Sequence, residues 1–150
     1  MSEFAHGTAV LVGAQGVLIR GAPGTGKSTL AHALVARGAR LIADDRVWLS
    51  ARSGRVIAGV PAAIAGLMEL RGRGLITVPH ERFGVIHLVA DFVGEEELER
   101  MPHTTQLSTA LLDITLPRQP VPAAPERALR LIEAALAGLS RTGNMGLRSA

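Results

Sequence analysis

Apolar residues fall along this chain in short runs punctuated by glycine and proline, and most of the runs have strand length. Thr8 to Val12 and Val17 to Arg20 are β-rich and separated by Gly13-Ala14-Gln15-Gly16, which predicts an antiparallel hairpin. Leu41-Ile42-Ala43 reads as the next strand, and Arg46 to Ser50 with Arg55 to Ala58 flank Ala51-Arg52-Ser53-Gly54 as a second hairpin. The segment Val60 to Gly66 is built of small residues and reads as flexible. Met68 to Arg71 and Gly74 to Val78 form short strands around Gly72-Arg73-Gly74, while Val85 to Val93 is a longer buried strand. Helical stretches are fewer. Ser28 to Arg37 is rich in helix formers and stops at Gly38, and Glu95 to Arg100 reads as a short helical turn. Pro125 opens a helix whose apolar positions are Leu129, Leu131, Ile132, Ala135 and Leu136. Pro117, Pro120, Pro122 and Pro125 mark a stiff loop before it, and the tail after Leu139 is expected to be disordered.

This order predicts an α/β domain with a mixed central sheet flanked by helices, one domain over residues 1–150 with an ordered core from about 4 to 139. The hairpin places an antiparallel strand ahead of the strand that feeds the first helix. The helix then crosses over, right-handed, to a strand parallel to that one. Parallel strands present their C-terminal ends on one sheet edge, so Asp44 and Asp45 emerge where Val17 to Arg20 ends.

Hydrophobic residues at 47% and charged ones at 19% exclude a disordered chain. The net charge of +3, one Trp and three Phe give no interleaved basic and aromatic surface for nucleic acid, so none is expected as a partner. With no cysteine, disulfides, thiolate metal sites and a Cys nucleophile are excluded. No signal peptide or membrane-length apolar run is legible, and the expected location is cytoplasmic.

Gly21-Ala22-Pro23-Gly24-Thr25-Gly26-Lys27-Ser28 fills the pattern G-x-x-x-x-G-K-[ST] between a strand and a helix, which points to a nucleoside triphosphate bound with Mg²⁺. Successive backbone N–H groups and Thr29 at the helix start face phosphate oxygens, Lys27 supplies a positive charge, and the Ser28 hydroxyl suits Mg²⁺. Phosphoryl transfer further needs a group to orient or deprotonate the acceptor. Asp44-Asp45 leads for that role, one carboxylate serving as base while the other tunes it or holds metal. Asp91 competes, because it closes an apolar strand of the kind that carries a metal-holding Asp in many NTPases. Glu69, amid glycines, is either a metal ligand or half of a strand-edge ion pair. His6 stands before the first strand as a lone histidine.

These residues converge on one family. Gly-x-x-Gly-x-Gly-Lys-Ser followed by Arg37-Gly38-Ala39-Arg40-Leu41-Ile42-Ala43-Asp44-Asp45-Arg46-Val47 resembles the catalytic domain of bacterial HPr kinase/phosphorylase. Met68-Glu69-Leu70-Arg71-Gly72-Arg73-Gly74-Leu75-Ile76 resembles its glycine-rich signature, and His6-Gly7 the His-Gly that opens its catalytic domain. The resemblance implies an ATP- and Mg²⁺-dependent P-loop phosphotransferase that phosphorylates a serine of an HPr-type phosphocarrier protein, with a reverse reaction in which inorganic phosphate attacks phosphoserine. It implies Asp45 as base forward and acid in reverse with Asp44 beside it. Ser28 and Glu69 become metal ligands, and Lys27 stabilises the transferring phosphate. His6 joins the active site, and Arg100 is the nearest counterpart of a catalytic arginine. Asp91 becomes structural, and the assembly a homo-oligomer, a hexamer by resemblance. The resemblance runs from His6 to about Val93, and the chain is expected to be a short form without the family's N-terminal domain. Two other readings stay in view: a small-molecule kinase or NTPase with Asp91 as its metal-strand acid, and a nucleotide-binding sensor without catalysis.

Overall fold

A computed structural model describes residues 1–99 and 107–149, with Glu99 and 141–149 as backbone only. Along the chain run β1 (Ser2–His6), β2 (Thr8–Val12), β3 (Gln15–Arg20), α1 (Lys27–Ala36), β4 (Arg40–Ala43), β5 (Arg46–Arg52) and β6 (Arg55–Gly59). A 3-10 turn (Ala62–Ile64) leads to β7 (Leu67–Leu70), β8 (Gly74–Thr77), β9 (Phe83–Phe92), α2 (Glu95–Glu99), β10 (Ser108–Leu111), β11 (Ile114–Val121) and α3 (Pro125–Ser149).

The main sheet has the order β1-β5-β6-β9-β3-β2-β4, with β11 beside the far half of β9 and β10 hairpinned to β11; β7 and β8 form a separate ribbon. It is mixed, as expected: β9 runs parallel to β3 and β11, and the other pairs are antiparallel. Both β3 and β4 pair antiparallel with β2, so they run in the same direction with β2 between them. The strand bearing the glycine-rich loop and the strand bearing Asp44-Asp45 therefore end on one edge.

Two apolar layers explain why the central strands read as continuous rather than alternating runs. One face of β2, β3 and β9 sends Val10, Ile19 and Leu88 against Leu30 and Leu34 of α1 and Ile132 of α3. The other face sends Leu18 and Val89 against Leu49 of β5, Val56 of β6 and Leu116 of β11, with no helix in that layer. The sheet curls onto itself to close this second core. In β5 the period-two alternation is plain: Val47 and Leu49 are buried, while Arg46 and Trp48 face solvent. Among the described residues no second layer covers that outer side.

The structure departs from the sequence reading in three places. A strand, β1, ends at His6, pairing Ser2 to His6 with Ser50 to Arg46; Ser-Glu-Phe-Ala-His carries no strong apolar alternation. The proline-marked stretch is not a loop over Pro117 and Pro120, because both lie in β11. At Pro120 the missing N–H costs no ladder bond to β9: the Val121 carbonyl accepts from Val93 N–H at 2.9 Å, so at the next residue back the N–H position is turned away from β9, while Pro117 lies where β11 pairs with Ser108 of β10. The backbone of α3 also continues past Leu139 to Ser149, a stretch without proline. Among the described residues no helix is long and apolar enough to cross a membrane.

Candidate active site

The loop from Gly21 to Gly26 links the end of β3 to α1, and its shape requires glycine at Gly24 (φ 81°) and Gly26 (φ 106°), both in the left-handed region. It is braced from within: Thr25 Oγ1 donates to the Ala22 carbonyl at 2.7 Å. Lys27 is buried, and its Nζ donates to the carbonyls of Gly21 at 2.9 Å and Ala22 at 3.2 Å. The unpaired N–H groups of the first turn of α1 leave an anion-seeking end. Thr29 lines a cleft of about 190 Å³ beside the loop with Thr25, Leu30, Phe92 and Pro125. A larger cavity, about 670 Å³, opens at the opposite end of the strands among Gly13, Arg55, His87 and Leu116, and holds none of these residues.

The two acids that follow β4 have different environments. Asp44 Oδ1 accepts from Ser28 Oγ at 2.6 Å and from Thr8 Oγ1 at 3.2 Å. Its Oδ2 accepts from the Glu69 backbone N–H at 3.2 Å. Three elements, α1, β2 and β7, thus converge on one carboxylate. Asp45 has φ 67°, a conformation that Asp tolerates better than most residues. Its N–H donates to Thr8 Oγ1 at 3.2 Å and its carbonyl accepts from Gly7 N–H at 3.1 Å, while its side chain is exposed. Asp44 is held by donors, whereas Asp45 projects from a constrained backbone into solvent.

Thr8 was not legible as a site residue, although a polar residue opening the apolar run Thr-Ala-Val-Leu-Val was the available signal. It is fully buried and ties both acids together. Gly7, just before it, admits no side chain, since a Cβ would sit 2.9 Å from the Ile19 carbonyl and 3.2 Å from Leu18 Cδ1. His6 pairs across the strands with Arg46 and so flanks Asp45 on the exposed side. The Glu69 side chain is exposed, and only its backbone touches Asp44. Arg100 lies outside the described residues.

Asp91 has other partners. Arg20 donates to both its oxygens, at 2.7 and 2.8 Å, and Arg118 Nε donates at 2.6 Å. Burial works against its charge, but the hydrogen bonds from Arg20 and then Arg118 outweigh it and hold the carboxyl below its ordinary value. A carboxylate claimed by two guanidinium groups fits a structural clamp joining the ends of β3, β9 and β11.

Among the described residues no three His, Asp or Glu side chains cluster as a self-sufficient metal cage. The Ser28 hydroxyl, hydrogen-bonded to Asp44 at the mouth of the loop, instead offers hard oxygen donors suited to a Mg²⁺ that shares its remaining positions with phosphate and water. Phosphate loop, hydroxyl, held carboxylate and exposed carboxylate thus stand together at one end of a P-loop α/β domain. The profile of the HPr serine kinase C-terminal domain matches residues 1–150, and the chain belongs to that family. It is 35% identical over 97% of its length to HPr kinase/phosphorylase of Geobacillus thermodenitrificans, covering 50% of that protein. It is 34% identical over 97% of its length to HPr kinase/phosphorylase of Treponema pallidum, covering 49%. The chain thus spans about half the length of the curated relatives it matches. The structure of the Hpr(Ser) kinase/phosphatase from Coxiella burnetii superposes with TM-score 0.79 at 27% identity, over 98% of this chain and 95% of that one.

Proposed function

We propose that this domain transfers the γ-phosphoryl group of ATP to a serine of an HPr-type phosphocarrier protein in the cytoplasm, and returns it to inorganic phosphate in the reverse direction. The observation that carries the reading is the division of labour between adjacent acids: Asp44 engaged by Ser28, Thr8 and the Glu69 amide, Asp45 exposed beside it. The names borne by the relatives from Geobacillus thermodenitrificans and Treponema pallidum, HPr kinase/phosphorylase, support the choice of acceptor. The hexamer suggested by the family resemblance is part of the same reading.

Ser28 and Asp44 would hold Mg²⁺, with the Glu69 carboxylate as the further ligand that the resemblance implies. Held by these residues, Mg²⁺ would supply positive charge against the developing charge of the phosphates. The loop amides and the first turn of α1 hold the phosphates in line, and Lys27 exchanges its carbonyl contacts for the transferring group. As the serine oxygen forms its bond to the γ-phosphorus and the bond to the ADP oxygen breaks, Asp45 takes the serine proton. In reverse, Asp45 returns that proton to the serine oxygen as phosphate attacks. The alternative of Asp91 as metal acid is disfavoured by its commitment to Arg20 and Arg118.

The test is transfer of labelled γ-phosphate from ATP with Mg²⁺ to purified HPr, with the label located by mass spectrometry. Serine labelling by the wild type, lost in Asp45→Asn and retained in Asp91→Asn, is the expected result. Nucleotide binding without labelling of HPr defeats the proposal.

A further inference from the structure

The outer side of the β1-β5-β6-β9 layer, which no helix among the described residues covers, carries a row of aromatic side chains in direct cross-strand register. Phe4 faces Trp48, Trp48 faces Gly59, and Gly59 faces Phe83. The three rings are 47%, 36% and 58% exposed, unusual for such large apolar groups aligned side by side. Phe4 and Trp48 meet edge to face at 4.6 Å. Arg46 stacks over Phe4 at 4.4 Å and Arg82 over Phe83 at 5.2 Å. None of the outward positions of β1, β5 and β6 is acidic, since Glu3 takes the opposite side with Leu49. Arg46, stacked over Phe4, directly follows Asp45 in the chain.

We infer that this face docks the protein that carries the acceptor serine, through an apolar surface of that protein bearing carboxylates. Aromatic and arginine side chains dominate binding hot spots, and a face bearing positive charge with no outward acid on β1, β5 and β6 favours an acidic complement. A second copy of the chain fits poorly, since face-to-face pairing would oppose arginine to arginine. Single-stranded nucleic acid needs free ring faces, and here Arg46 covers Phe4 while the ring of Phe83 lies between Gly59 and Arg82. Docking beside Asp45 holds the serine near the base and leaves nucleotide contacts untouched.

The inference rests on the kinase reading for the choice of occupant and for its kinetic arm, while the emission arm reads the face itself. Trp48 is the sole tryptophan, so its emission, titrated with a tryptophan-free HPr, reports the face directly. The expected results are a shift of that emission to shorter wavelength and, in Phe4→Ala and Phe83→Ala, a KM for HPr raised about tenfold. The kcat, the KM for ATP and nucleotide binding stay at wild-type values, which excludes misfolding. Serine transfer with wild-type KM in both variants and no emission change overturns the docking face while the kinase reading stands. An emission shift without any transfer defeats the kinase reading and keeps the face. Absence of both defeats both. A shift that follows the protein's own concentration, or that RNA reproduces, assigns the face to self-association or to nucleic acid and overturns the inference.

Discussion

Replacing Thr8 by valine keeps the shape of the side chain and removes only its hydroxyl, which donates to Asp44 Oδ1 and accepts from Asp45 N–H, each at 3.2 Å. A hydrogen bond to a charged acceptor contributes about 1.5–3 kcal/mol and a neutral one about 0.5–1.5 kcal/mol. Because Asp45 is exposed, water recovers part of the loss at its N–H, so about 2–3 kcal/mol of stability is expected to disappear. For a domain of this size that lowers Tm by about 5–10 °C. Thr8→Ser is the control: it keeps the hydroxyl and loses one methyl group, worth about 1 kcal/mol. The functional loss should exceed the stability loss, because the hydroxyl fixes the backbone from which Asp45 projects, and misplacing a reacting group by about 1 Å costs up to about a hundredfold in rate. The assay pairs thermal unfolding with single-turnover transfer to HPr below the Tm of each variant. A Thr8→Val protein that melts within about 1 °C of wild type and keeps its transfer rate would refute the claim that this hydroxyl links the two acids.

The strained backbone at Asp45 gives a second expectation: Asp45→Gly should melt at or above wild type, by up to about 1 kcal/mol, while transfer is abolished. A Tm lower by several degrees would instead show the carboxylate to be structural. Asp91 governs the acid limb of stability. Its folded pKa is lowered, so its contribution is complete above the unfolded carboxyl value and is lost as pH falls through the folded one. Asp91→Asn should therefore cost about 3 kcal/mol near neutral pH, by withdrawing the carboxylate charge that Arg20 and Arg118 share. The variant should also lose less stability than wild type between pH 5 and pH 2 in urea titrations, and parallel acid limbs would count against the clamp. Gly7→Ala, which drives a Cβ against the Ile19 carbonyl, is expected to lose about 1–3 kcal/mol by urea unfolding, and a neutral result would show that β2 can shift.

Much of the site was legible because its chemistry is local in sequence. The loop residues Gly21 to Ser28 and the pair Asp44-Asp45 each announce themselves within a few positions, and the strand and hairpin pattern brought them to one edge. The parts that escaped depend on long-range geometry. Thr8 matters through partners 36 and 37 residues away, which no spacing rule can see. Arg20 looks like the polar end of a strand until β9 places Asp91 beside it. The proline-rich stretch was misread because proline's cost depends on whether the missing N–H faces a neighbour, and only the sheet order settles that. β1 escaped for a related reason: its strand character comes from pairing with β5, not from its own composition.

Two backbone amides acquire a special status from the way Asp44 and Thr8 are used. The N–H of Asp45 is bound to Thr8 Oγ1, and that of Glu69 to Asp44 Oδ2, so neither is protected by a strand ladder in the ordinary way. Their hydrogen exchange follows the intactness of side-chain contacts between β2, β4, α1 and β7. Where a ladder amide reports the opening of one pair of strands, these two report whether distant parts of the chain are held together at once. Slow exchange at both is thus a signature of an assembled site that can be read without substrate, metal or turnover.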